Sequence, residues 1–95
     1  MKALLANKQE VVLAGASRSY TVGDGKYTMS LDISASVMNF EMVTQTFTKE
    51  NCENIVLTRD GGSDVTIAAD DGWKLNNIYD FLSENESHVS VIFEK

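Results

Sequence analysis

The side chains able to do chemistry are few, and they concentrate in the second half of the chain. His88 is the only histidine, Cys52 the only cysteine, and the carboxylates Asp60, Asp64, Asp70, Asp71, Glu84 and Glu86 fall in this half. The stretch Asp60-Gly61-Gly62-Ser63-Asp64 invites comparison with a calcium loop. An EF-hand loop requires an oxygen ligand at its third position, glycine at its sixth and glutamate at its twelfth. Counted from Asp60, those positions hold Gly62, Val65 and Asp71, so the stretch reads as a hairpin turn. A calcium-binding β-helix repeat fails as well, because a single copy cannot build a site made between stacked turns. One histidine excludes multi-histidine metal sites and leaves Ser/His/Asp catalysis without a nucleophile motif. Gly23-x-Gly25 and Gly61-Gly62 lack the lysine and following helix of a phosphate loop. Cys52 lies between Asn51 and Glu53, with no adjacent cation to stabilise a thiolate, and reads as an inert small residue. No cofactor is implied.

What remains is a surface. Asp70 and Asp71 precede, and Glu84 and Glu86 follow, a segment in which Leu75, Ile78, Tyr79 and Leu82 fall at i, i+3, i+4 and i+7. That spacing predicts a helix over 72–83, with an aspartate at its N-terminus. Its ends would stand roughly 18 Å apart, too far for the four carboxylates to share one metal. They form two acidic spots instead. Trp73, the only tryptophan, falls on the first turn of this expected helix, where it reads as a core anchor or alternatively as a partner hot spot. Asp70, Asp71, Trp73, Glu84 and Glu86 are therefore the candidate partner-binding residues.

The elements that must position these residues are mostly strands. From Tyr27 to Val37 odd positions are apolar and even positions polar, the period of two of a half-buried strand with a Ser/Thr-lined wet face. Beyond Val37 the apolar positions become even (Met38, Phe40, Met42), which predicts a bulge or bend between about Ser36 and Asn39. Met29, Met38 and Met42 with Phe40 read as adaptable core. Gly23-Asp24-Gly25 joins Ser17–Val22 to this strand as a tight hairpin, and the Asp60–Asp64 turn joins Ile55–Arg59 to Val65–Ala69. Met1–Ala6 reads as a short strand or a helical turn, Glu10–Ala14 as a strand, Lys49–Asn54 as a loop, and Val89, Val91 and Phe93 as a closing strand. The expected fold is α+β, a single small domain over residues 1–95. It has a predominantly antiparallel sheet of five to seven strands, rolled or sandwich-like, covered by one helix near 72–83.

Charge narrows the partners. Fourteen acids against eight bases leave a net charge of −6, which opposes direct contact with nucleic acid or an anionic membrane. The imbalance is one-sided: residues 1–49 carry five bases against four acids, and residues 50–95 ten acids against three bases. No apolar run is long enough for a signal h-region or a membrane span, and Asn85-Glu86-Ser87 is a chance glycosylation match, so the expected location is cytoplasmic. The expected function is a non-enzymatic protein-interaction module. It is either a small acidic inhibitor of a basic partner, nucleic-acid-binding proteins being one such class, or a β-rich subunit that assembles with copies of itself. The alternatives are a small-ligand binder with an apolar cleft near Tyr27, Phe40 and Trp73, and, third, an enzyme of unknown class.

Overall fold

The computed structural model describes residues 1–82 and 87–95. Eight strands and one α-helix follow in the order β1 (Lys2–Leu4), β2 (Glu10–Val12), β3 (Gly15–Thr21), β4 (Lys26–Ser34), α1 (Phe40–Thr46), β5 (Asn54–Thr58), β6 (Val65–Ala68), β7 (Lys74–Leu82) and β8 (Ser87–Glu94). They form two antiparallel sheets of four strands, ordered β2-β1-β5-β6 and β3-β4-β8-β7. The α+β class and the antiparallel sheets match expectation; the strand count is eight, above the expected five to seven. No helix among the described residues is long and apolar enough to cross a membrane.

Alternation builds the core. Ala3, Val11, Ile55, Leu57 and Ile67 of the first sheet meet Met29, Leu31, Ile33, Val89, Val91 and Phe93 of the second in one buried cluster. Every second side chain of β4 and β8 points inward, as a strand buried on one face requires. The chain passes between the sheets at Leu13–Gly15, where the Ala14 N–H donates to the Asp32 carbonyl at 2.8 Å. The two expected hairpins are present. Gly23 and Gly25 turn β3 into β4 with φ of 105° and 64°, values a side chain would strain. The Asp60–Asp64 segment joins β5 to β6.

Two expectations are corrected. Residues 72–83 do not form a helix: Lys74–Leu82 is strand β7. The helix-like spacing has a definite origin in the register shift between Leu75 and Asn77, where β7 bulges against β8. Leu75 opposite Phe93 and Ile78 opposite Val91 share the inner face, three residues apart because the bulge adds one to the strand's two. Tyr79 stands on the opposite, outer face beside Ser90. The helix lies instead at Phe40–Thr46, where continued strand after a bulge was expected. β4 ends at Ser34, whose carbonyl accepts from the N–H groups of Val37 and Met38. Asn39 then caps the helix, its Oδ1 accepting from the Met42 N–H at 2.9 Å. Val43 and Phe47, four apart, are the residues this turn of chain buries, together with Met38; Phe40 and Met42 are exposed.

If the inner face of β4 carries the fold, Leu31→Ala should cost about 3 kcal/mol in denaturant melts, from lost burial and the cavity left behind. Ser30→Ala, which removes one hydroxyl from the outer face, should cost about 1 kcal/mol or less. Equal losses at the two positions would contradict the one-sided burial.

Candidate functional site

The two sheets differ in length. Strands of the first run three to five residues, those of the second seven to nine. The inner face of the longer sheet therefore outruns its cover. Along β4, burial stops between Met29 and the half-exposed Tyr27; along β8 it stops after Phe93. On β3 the same overhang carries Arg18, opposite Met29, and Tyr20, opposite Tyr27. Tyr20 and Tyr27 place their rings 4.5 Å apart. Lys95 is tied to Tyr27 by a reciprocal pair of backbone hydrogen bonds at 2.9 and 3.0 Å. One cross-strand row thus brings Tyr20, Tyr27, Lys95 and Trp73 together.

Trp73 closes the row, placed by the turn before it. Ala69–Asp71 forms a single 3₁₀ turn, and Gly72 ends it in the left-handed region at φ 88°, its N–H donating to the Ala69 carbonyl. That reversal sends Trp73 under the end of the longer sheet, where it is 7% exposed. The indole is a core anchor. Lys95 Nζ stands 5.1 Å and Arg18 Cζ 6.0 Å from its ring centroid, both within cation–π range. A hollow of about 400 Å³ opens between the tyrosines, Trp73 and the two cations. A second, of about 430 Å³, lies on the other side of the indole, bounded by Cys52, Ala69 and Leu75.

The outer face of the same sheet carries a different chemistry. Asp32 Oδ1 accepts from Ser30 Oγ at 2.9 Å and from Ser90 Oγ at 2.6 Å. Ser34 and His88 are cross-strand neighbours beside this carboxylate, and all three border a hollow of about 350 Å³. Serine, histidine and aspartate meet here, but they are not wired as a relay. Ser34 Oγ bonds Ser36 Oγ at 2.8 Å, Asp32 is engaged by two other serines, and the His88 ring stacks on Phe81 at 4.9 Å. Tyr79 and Phe81, 46% and 47% exposed, extend this face along the edge strand β7.

The sequence candidates separate. Asp70 and Asp71 are exposed in the 3₁₀ turn, where they cap no α-helix, and Trp73 is buried two residues on. Glu84 and Glu86 lie outside the described residues. Of the residues expected around an apolar cleft, Tyr27 and Trp73 share the overhang, whereas Phe40 belongs to α1 and does not border either hollow. Sequence reasoning missed Arg18, Tyr20 and Lys95. The first two were within reach, because a hairpin closed by Gly23-Asp24-Gly25 pairs Thr21 with Lys26 and hence Tyr20 with Tyr27. His88 is the second residue of β8 and is half-buried.

Cys52 is buried against the second hollow, and desolvation pushes its thiol from 9.0 to about 12. The native protein should thus resist thiol reagents under mildly alkaline conditions that label the unfolded chain at once; equal labelling rates would refute the burial. Because the folded value is the raised one, the group's contribution to stability is complete below pH 9.0 and is lost as pH climbs toward about 12. Trp73 should emit at short wavelength, and Trp73→Ala should cost about 3 to 5 kcal/mol; a solvent-like emission maximum would contradict its anchoring role. No protein-family model, curated protein or solved structure matches the chain.

Proposed function

We propose that the chain is a non-enzymatic protein-interaction module that assembles, with a second copy or another β-rich protein, through the outer face of its longer sheet. The observation that supports this most directly is the strip Tyr79–Phe81. Two large aromatic side chains stand nearly half exposed on an edge strand, and the ring of His88 extends the strip by stacking on Phe81. Aromatic residues are enriched at the centres of protein interfaces, where they bring large contact area at low conformational cost. The polar floor beside them, with Asp32, Ser30 and Ser90 already joined, offers a preorganised rim of hydrogen-bonding groups. One exposed backbone donor of the edge is also answered locally, since the Ile78 N–H donates to Asn77 Oδ1 at 2.8 Å. That arrangement favours docking of side-chain faces over simple strand addition along the whole edge.

Sedimentation across micromolar concentrations tests the proposal. The wild-type chain should self-associate or bind its β-rich partner, and Tyr79→Ser with Phe81→Ser should abolish the association while leaving the circular-dichroism spectrum unchanged. Association that survives both substitutions overturns the assignment to this face.

A second reading is the acidic inhibitor of a basic protein, supported by a different observation. Glu53 pairs through its backbone with Ala69, which brings it and Glu50 to the same end of the shorter sheet as Asp70 and Asp71. On this reading, neutralising Asp70 and Asp71 together with Glu84 and Glu86 slows association with the basic partner and flattens its salt dependence. An unchanged on-rate at low salt for the folded variant removes it.

A further inference from the structure

We propose that the overhanging inner face of the longer sheet is a binding site for a small aromatic anion, a planar ring system joined to a phosphate or a carboxylate. The site is separate from the outer face and does not depend on the assembly reading. Its electrostatics point to an anion. Arg18 and Lys95 are both held over the indole of Trp73, at 6.0 and 5.1 Å from the ring centroid, so two positive charges share one ring. Like charges brought together repel, and a chain with fourteen acids has ample means to neutralise them. None of the acids among the described residues does so here. The ion pairs of the described residues are those of the Met1 amino group with Asp60 and of Lys2 with Glu10, and neither involves Arg18 or Lys95. Glu94, next to Lys95 in sequence, sits opposite Thr28 on the other face of the sheet. Cation–π contact alone is a weak partner for an exposed charge, worth less than a charge-assisted hydrogen bond to phosphate or carboxylate.

The aromatic component supplies the ring's seat. Tyr20 and Tyr27 are about half exposed, with centroids 4.5 Å apart, and line the hollow beside the two cations, Lys95 Nζ lying 5.9 Å from the Tyr27 centroid. Trp73, nearly buried, is its floor and fixes the cations without offering a free face of its own. The volume of about 400 Å³ suits a ligand of the size of a nucleoside monophosphate or an indole carboxylate. These two sources share the ring-plus-anion chemistry and differ in the charge and geometry of the acid.

Trp73 is the only tryptophan and reports directly on the site. Titrations of the folded protein with adenosine 5′-monophosphate and with indole-3-acetate are read by calorimetry and, for the nucleotide, by quenching of Trp73 emission. Adenosine, indole, inorganic phosphate and acetate serve as the half-ligands. At least one ring-bearing anion should bind saturably, and about tenfold or more tighter than either of its halves. Arg18→Gln and Lys95→Gln should each weaken that binding about tenfold, and Tyr20→Ala should weaken it without changing the melting temperature by more than a surface substitution does. The tighter of the two anions assigns the source. Absence of saturable binding by both anions overturns the proposal, as does binding that the charge-removing variants leave intact. A neutral ring that binds as well as its anion also overturns it, because the cations would then be idle.

Discussion

The inner face of the longer sheet can be sealed only as far as the shorter sheet reaches. Strands of three to five residues cannot cover strands of seven to nine, and the uncovered remainder must end in residues that tolerate water on one side. Where the cover exists, the row Met29–Phe93 is buried; one row further on, the same face presents Tyr27 and Lys95. The amphipathic side chains suit this boundary. Tyrosine and lysine give apolar bodies to the last buried row while keeping a polar tip in solvent. The cleft is thus a by-product of the way two unequal sheets close, and Trp73, delivered by the left-handed turn at Gly72, is the stopper between core and cleft.

Strands that alternate cleanly were legible in the sequence, and so were the glycine-marked hairpins. Tyr27–Val37 announced β4, Val89–Phe93 announced β8, and both obey the alternation because each is an interior strand buried on one face. The failures share one physical cause, the masking of one period by another. A bulge of one residue in β7 spaced Leu75 and Ile78 as a helix would, while a turn and the short capped helix after it carried Met38, Phe40 and Met42 at a strand's interval. Local chemistry held the better signal in both places. Asn39 is a favoured N-cap residue, and Asn76-Asn77 with β-branched Ile78 is a poor helix interior. Of the candidate site, Trp73 and Tyr27 were identified, but their convergence with Arg18 and Lys95 depends on which strands adjoin across the longer sheet. No local pattern encodes that order.

The two faces of the longer sheet divide the polar work between them. The inner overhang gathers aromatic rings and two cations that no described residue pairs, whereas the outer face gathers hydroxyls around one carboxylate and borders them with Tyr79 and Phe81. The same four strands hold both arrangements, so side chains one residue apart along β3, β4 or β8 serve opposite surfaces. Substitutions on one face leave the other's partners in place, provided that the strand keeps its pairing.

Keeping that pairing is where Asp32 acquires a meaning beyond its surface. Hydrophobic alternation repeats every two residues, so β4 and β8 could slide past each other by two and still present Met29, Leu31 and Ile33 to an apolar layer of Val89, Val91 and Phe93. The core alone barely distinguishes such degenerate alignments. The outer face does: in the native alignment Asp32 stands opposite Ser90 and accepts its hydroxyl at 2.6 Å, and a slide of two would set the carboxylate against Ile92 or His88 instead. In one direction the charge meets an isoleucine, and in both the nearly buried Ser90 loses its acceptor. A single carboxylate thereby acts as a proofreader of strand alignment, penalising mismatched sheets that the apolar residues would accept.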